Sequence, residues 1–523
     1  MKHRQAPKRG LLLTLGCTAI YLLVLLLLTA VERTDPEASI QSFTDALWYS
    51  VVTISTVGYG DLYPVTSLGK VLGVLFVLLS VGLLSFVIGA MISTFTGKLL
   101  PAFQRWMLRD RPWYVFSRCN TCSTALANDL AHTCPEAVFL FPKDEGTTLP
   151  DLGTCLRYQG SMEQIIAGHP GDCSLFFLAE ADAREYSRAL DAAKTGRPVY
   201  CMTEFAPERC PENLVLFNRY DCCAQEYWRS HGLKNFENRI VLIGDGKYAE
   251  SLLLRGLLMN VISGDRSIQY HVFGDWTHFQ RNHHRLGETL SLNREQRGMD
   301  SLFFHEESWN ADPALLVRAD RILLCCDEDA RNLDILRDLR KYFPTGAAIH
   351  LRSTAIIPGE TVFGTDQQMF TSELVMRQGL IRAARAMHDI YCEGAGAHAL
   401  PWEALSEFLR QSNISAADHL LTKIRILLDD SSISQVTAQH CRQAYLQYAA
   451  TKADMQDVYR WIEHQRWMRF HSIYNWQFGE PRDNASRIHP LMRPFADLTP
   501  AQQQMDDYAW ELLEKLAQRQ DLC

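Results

Sequence analysis

Two long apolar runs separated by a short, acidic loop fix what the N-terminal part of this chain can become. Leu11 to Val31 and Val71 to Phe95 hold no charged side chain. A helix rises about 1.5 Å per residue, so either run can cross roughly 30 Å of hydrocarbon. A cleaved signal segment is the alternative for the first run, which follows Lys2, Arg4, Lys8 and Arg9. Against it stand the length of the run and the absence of a small-residue cleavage pattern after it. The N-terminal tail is basic, and Lys98, Arg105, Arg109 and Arg111 follow the second run, whereas the loop between holds Glu32, Asp35, Glu37, Asp45 and Asp61. The positive-inside bias then predicts a multi-pass protein of the cell (inner) membrane with both termini cytoplasmic. The remainder of the 523 residues reads as soluble and is too long for one core. Fifteen cysteines show no disulfide spacing; most sit in apolar runs such as Leu323-Leu324-Cys325-Cys326, which suits a reducing compartment. The net charge is −8 with no long basic run, which argues against a nucleic-acid partner.

Between the runs, Phe43 to Val52 has helical character and leads into Thr53-Ile54-Ser55-Thr56-Val57-Gly58-Tyr59-Gly60-Asp61. A glycine-rich turn after a helix is the plain reading. The segment Thr56, Val57, Gly58, Tyr59, Gly60, Asp61 also resembles the selectivity filter of potassium channels. The order span, short helix, filter, span is that of a two-span member of that family. The resemblance implies a homotetramer in which backbone carbonyls of Thr56 to Tyr59 replace the water around a permeant potassium ion. Carbonyls converge on one axis only if alternate residues take unusual dihedrals, which Gly58 and Gly60 allow. It further implies that Asp61 pairs with Trp48, and that Val52 holds a place where some bacterial members carry a glutamate. Gly82, within the second run, matches the gating hinge of two-span channels; close helix packing is the other use of glycine there. Lys98 to Arg111 interleaves basic residues with Leu99, Leu100, Phe103, Trp106, Met107 and Leu108, the pattern of an interfacial linker.

Beyond the linker, short apolar runs alternate with helical patterns, which predicts α/β units with parallel sheets. In the first unit, residues 112–236, the turn Ser117-Arg118-Cys119-Asn120-Thr121-Cys122 lacks the glycines of a dinucleotide loop. This resembles a degenerate Rossmann unit. Cys119, Cys122, His132 and Cys134 are either core cysteines and a stray histidine or a zinc site. In the second unit, residues 237–362, the strand Arg239 to Ile243 runs into Gly244-Asp245-Gly246-Lys247-Tyr248-Ala249 and a helix, the context that gives G-x-G-x-x-A meaning. Gly244 would make the turn, Gly246 would admit a phosphate, and Ala249 would pack helix on strand. Asp245, Asp275 and Asp327 would face the ligand, Asp275 as the ribose partner. The unit resembles the ligand-binding domains of bacterial potassium-uptake regulators, two of which per subunit build a ring under a tetrameric pore. An empty Rossmann-shaped scaffold is the alternative.

The helical remainder divides into a connector, residues 363–454, and a terminal part, residues 455–523. Phe370 to Cys392, Pro401 to Leu409 and Ala416 to Leu428 are expected helices. Glu463 to Met468, Trp476, Gly479, Arg482-Asp483, Arg487, His489-Pro490 and Asp506-Asp507 resemble the small repeat of ryanodine receptors, apart from Met505 where that family often has lysine. The resemblance implies a ligand sensor. Arg466, Arg482, Arg487 and His489 with Trp467 and Trp476 are the candidate pocket, since guanidinium groups fork onto phosphates. The alternative is that the tryptophans form a core and the arginines pair with Glu463, Asp483 and Asp506.

The expected whole is a membrane α-helical pore, residues 1–97, then an interfacial linker, residues 98–111, α/β Rossmann-like domains and an all-α C-terminal domain. Its expected function is a ligand-gated, potassium-selective channel, with a nucleotide of NAD, adenine or cyclic type as the ligand. The partners are four copies of itself, the lipid membrane and a small molecule. No nucleophile–base pair, HExxH or P-loop supports an enzyme. A membrane-tethered nucleotide-processing enzyme and a regulatory subunit of another channel are the rival readings.

Overall fold

In a computed structural model, residues 6–143, 148–167, 169–179, 183–205, 207, 210–395 and 400–518 are described. They divide into two compact units, Met1–Arg109 and Asp110–Cys523.

The first unit holds the helices Ala6–Glu32, Phe43–Ile54 and Ser67–Thr94. The last continues through a wide turn, Phe95–Leu99, into Leu100–Met107, so the expected linker begins as helix. Among the described residues no helix is long and apolar enough to cross a membrane. The expected spans rest partly on side chains outside the described set, those of residues 6–15, Cys17, Leu83, Phe86 and Val87. Leu25, Leu28, Ile40, Ala46 and Phe76 form the core that joins the three helices. Tyr21 and Ser50 share a 2.6 Å hydrogen bond between the first helix and the short one.

The second unit contains two parallel sheets. β1 (Trp113–Phe116), β2 (Val138–Pro142), β3 (Thr154–Tyr158), β4 (Cys173–Phe177), β5 (Val199–Met202) and β6 (Leu214–Phe217) lie in the order β3-β2-β1-β4-β5-β6. The second sheet comprises β7 (Arg239–Ile243), β8 (Gln269–Phe273), β9 (Ser291–Leu292), β10 (Ser301–His305), β11 (Arg321–Leu324), β12 (Ala348–Arg352) and β13 (Thr361–Phe363). Its order is β13-β12-β11-β7-β8-β10-β9. Strands such as Val138 to Phe141 and Ile322 to Leu324 are apolar on both faces because helices cover both, as a parallel sheet requires. The chain crosses to the other side of its starting strand between β1 and β4 in the first sheet and between β7 and β11 in the second. Open parallel sheets take ligands at such points, at the carboxyl ends of the strands.

The two sheets share one core. Trp228, on the helix Arg219–Ser230, is fully buried and donates its indole N–H to Leu252 O at 2.8 Å. Gly256, on the helix Lys247–Met259, leaves the space: a Cβ there would lie 2.7 Å from the Trp228 ring.

The helices Gln378–Ala395, Glu407–Asp418, Leu420–Leu428, Ala438–Ile473 and Tyr508–Gln518 surround a second core. Three helical expectations shift. The run from Phe370 is broken at Arg377, which takes φ +50°. Pro401 starts only a single turn, and the helix proper begins at Glu407, capped by Ser406. The run from Ala416 to Leu428 divides at His419.

Candidate functional site

The short helix Phe43–Ile54 starts on a reciprocal cap. The Ser42 hydroxyl accepts from Asp45 N, and the Asp45 carboxylate accepts from Ser42 N. Past Ser55 the backbone takes positive φ at every second residue: Thr56 at +58°, Gly58 at +60° and Gly60 at +72°. Glycine explains two of the three positions. Thr56 is a β-branched residue in a region such residues rarely enter. The amides of Val57 and Gly58 both donate to Val52 O, at 3.1 and 3.3 Å, so the loop folds back on the helix end. Trp48 Nε1 donates to Asp61 Oδ2 at 2.9 Å, and the Trp48 and Tyr59 rings stack with centroids 6.3 Å apart. The structure thus brings Asp61 and Trp48 together, and Val52 is buried beside them. Val57 and Tyr59 are exposed in the single chain. Gly82 lies in unbroken helix, and a Cβ there would touch nothing within 4 Å.

The six residues expected at the α/β ligand site do converge at the carboxyl ends of β7, β8 and β11. Gly244 has φ +150°, and a Cβ would strike the Cys325–Cys326 peptide at 2.7 Å, so the turn demands glycine. Ala249 is fully buried against the strand. Asp245 Oδ2 accepts from Asp275 N at 3.1 Å, and Asp275 Oδ1 accepts from Thr277 N at 3.0 Å.

The expected place for phosphate is filled by the chain itself. Gly246 is the N-cap of the helix Lys247–Met259, and the Asp327 carboxylate lies over it. A Cβ on Gly246 would lie 2.3 Å from Asp327 Oδ1. Asp327 accepts from Lys247 N and Tyr248 N, both at 3.2 Å. An anion at a helix N-terminus is stabilised by the free amides and the dipole, and Asp327 is that anion. Asp327, expected to face a ligand, lies against the glycine loop and caps the helix there. The neighbouring acids are also engaged. Asp329 binds Arg352 at 2.6 Å and accepts from Thr354 N at 2.8 Å. In the first sheet the equivalent turn, after β1, is closed by Asn120, which accepts from Ser123 N and donates to Leu178 O, both at 2.8 Å. Cys122 is a core residue whose thiol burial pushes up to about 11, and among the described residues no three His, Cys, Asp or Glu side chains are grouped so as to hold a metal ion.

The six residues expected to form a C-terminal pocket do not share one. Arg466 is fully buried and paired with Glu463 at 2.6 Å; Glu463 also binds Lys423 at 2.8 Å. Burial raises the Glu463 carboxyl, but the attraction of Arg466 and Lys423 outweighs it and brings the group down to about 2. Trp467, Trp476 and His489 pack in a core, with Trp467 and His489 ring centroids 4.9 Å apart. Arg482 and Arg487 lie at the surface; Arg482 Nε donates to Asn484 at 2.9 Å and Arg487 Nη1 to Tyr474 O at 2.6 Å. A core made by the tryptophans and a structural pair made by Arg466 account for this region better than a pocket. Asp506 pairs with His464 rather than with an arginine.

Residues 11–97 match the family described as "Ion channel". They form an ion-channel domain. A voltage-gated potassium channel of Aeropyrum pernix is 44% identical over 80 residues, 15% of this chain and 24% of that protein. The voltage-gated potassium channel regulatory subunit KCNF1 of Homo sapiens is 39% identical over 67 residues, 13% of each. The chain spans about a quarter or less of the length of these curated relatives. Among solved structures, the GsuK channel is similar with a TM-score of 0.32 at 13% identity, covering 67% of this chain and 90% of that one. The GsuK channel bound to NAD gives 0.32 at 10%, covering 70% and 82%.

The ion-channel domain contains a buried residue that sequence reasoning counted only as a loop charge. Glu32 is fully buried; its carboxylate accepts from Val65 N at 2.9 Å, Thr66 N at 3.1 Å and Thr66 Oγ1 at 2.6 Å. It fastens the chain leaving the glycine loop to the end of the first helix. Gly69 makes room, since a Cβ there would lie 1.8 Å from Glu32 Oε1. The only sequence signal was an acid directly after an apolar run.

Proposed function

We propose that four copies of this chain form a potassium-selective channel, with Thr56, Val57, Gly58, Tyr59, Gly60 and Asp61 as its filter. The observation that carries this reading is the alternation of positive φ at Thr56, Gly58 and Gly60 beside the Trp48–Asp61 hydrogen bond. Alternation of this kind turns successive carbonyls toward one side, which is what an ion stripped of water requires. The indole tie and the Tyr59 stack hold the loop from its flank. The exposure of Val57 and Tyr59 leaves room for further copies to pack around the loop, and non-helical backbone at membrane depth has to be buried in protein or line a water-filled cavity.

In this reading residues 11–31 and 71–95 cross the membrane, both termini are cytoplasmic and Gly82 is the hinge. Residues 112–362 are the paired Rossmann-like sensor, and residues 455–523 are a ryanodine-receptor-type repeat. A small ligand shifts the pore by binding one arrangement of the sensor more tightly. Converting a 1:99 equilibrium to 99:1 requires about 5.5 kcal/mol, which several sites in a tetramer share. The test is flux of rubidium and sodium into liposomes that hold the purified protein alone. Rubidium entry well above sodium entry is expected. Equal entry removes the filter reading, and flux only on addition of another channel subunit converts it to a regulatory one.

A further inference from the structure

A cavity of about 480 Å³ lies at the carboxyl ends of β5 and β6, closed by the helix Glu407–Asp418 and by the C-terminal residues Tyr474 and Arg487. It is distinct from the glycine loop at β7. Four arginines line it: Arg385, which pairs with Glu403 at 3.4 Å, and Arg377, Arg410 and Arg487, which come from three separate elements. Among the described residues none of the last three has a carboxylate partner. They donate to backbone carbonyls: Arg377 Nε to Leu374 O at 3.3 Å, Arg410 Nη2 to Glu403 O at 2.9 Å, and Arg487 Nη1 to Tyr474 O at 2.6 Å. Arg410 Nε is buried with no hydrogen-bond partner at all. A buried guanidinium N–H left unmade is costly, so its presence calls for an acceptor.

Four acids line the same cavity: Glu204, Glu212, Asp221 and Glu407. Glu204 binds Lys247 at 2.5 Å, Asp221 accepts from Asn218 Nδ2 at 2.6 Å, and Glu407 accepts from Gln411 Nε2 at 2.7 Å. Among the described residues that line the cavity, Arg410 Nε is the buried side-chain donor left without a partner. The walls between the arginines are aromatic. Phe408 stacks with Trp476, Tyr474 lies against Phe408 with centroids 5.3 Å apart, and Phe205 stands 59% exposed at the rim. A forked cation suits phosphate oxygens, and flat rings suit a flat base. The volume falls within the range of small-ligand clefts.

We infer that this cavity is a nucleotide site, in which Arg377, Arg410 and Arg487 take the phosphate and the Phe408–Tyr474 wall takes the base. The site joins the first sheet to the C-terminal helices, so an occupant holds those two parts together. Its role as the gating site rests on the channel reading above; the binding itself does not.

The test is binding to the full-length protein in detergent, followed by calorimetry and thermal shift. The probes are adenosine and guanosine monophosphates, their cyclic forms, the uncharged nucleosides and inorganic phosphate. At least one nucleotide is expected to bind at least 10-fold more tightly than its nucleoside and than phosphate. Arg410→Gln and Arg487→Gln are each expected to weaken that binding about 10-fold or more. Arg482→Gln, outside the cavity, is expected to leave it unchanged. Unchanged affinity in folded Arg410→Gln and Arg487→Gln protein, loss in Arg482→Gln, phosphate binding as tightly as nucleotide, or no binding by any probe overturns the assignment. Since the readout is binding, a chain that conducts but fails these tests refutes the site alone, and one that binds but does not conduct refutes the channel alone.

Discussion

Asp327 rests its carboxylate over the bare backbone of Gly246, within a distance that any side chain at 246 would violate. The pair makes the glycine loop self-complementary: the residue that would admit a phosphate admits an aspartate from β11's end instead. Two anions cannot share one helix terminus, because their repulsion near a protein surface is worth a few kcal/mol at about 4 Å. Asp327→Ala is therefore expected to expose the amides of Lys247 and Tyr248 to outside anions. Stability should fall by about 1 kcal/mol, the usual cost of a lost helix cap, seen as a lower Tm that added phosphate or nucleotide restores. A Tm in the variant that no anion raises would show that the loop has no latent site.

Gly246→Ala tests the same contact from the other side. The methyl group must displace the Asp327 carboxylate, so the variant should lose that cap. A loss on the order of 2 kcal/mol is expected from overpacking, measured by denaturant unfolding. A neutral outcome would mean that Asp327 moves aside freely.

Trp48→Phe keeps a ring beside Tyr59 but removes the N–H that holds Asp61. A hydrogen bond of this kind contributes on the order of 1 kcal/mol. The filter should then relax, and the rubidium-to-sodium flux ratio should fall by roughly 5-fold. An unaltered ratio would place the filter's rigidity elsewhere.

Glu463 lies in full burial between Lys423 and Arg466. Its carboxyl is brought from an ordinary 4.5 down to about 2 in the folded chain. The unfolded chain therefore binds the proton first. The stabilisation is complete above pH 4.5 and is lost as pH falls toward 2. Glu463→Gln should cost about 3 kcal/mol at neutral pH, because it leaves two buried cations short of a counterion. The gap between wild type and variant should narrow across that acid window in pH-dependent unfolding. A gap independent of pH would exclude the carboxylate as its cause.

Much of the architecture was legible from apolar runs. Val241 to Ile243 and Ile322 to Leu324 could be placed as central strands because both faces of a parallel sheet are covered. The pairing of Trp48 with Asp61 was legible only through the resemblance of Thr56 to Asp61 to a potassium-channel filter, which implies it. Asp327 was legible as a neighbour of the glycine loop but not as its occupant, since sequence gives proximity without direction. Arg466 was misplaced for a similar reason. A guanidinium reads the same whether it faces solvent or Glu463 three residues earlier on the same helix turn. Arg377, Arg410 and Arg487 are far apart in sequence, and only the fold brings them to one cavity.

Trp228 reaches out of the first sheet's last helix and fills the notch at Gly256. A cut between residues 236 and 237 would bare an indole on one fragment and leave its empty socket on the other. Neither half thus closes its own interior, and the two sheets can part only if the indole leaves its socket.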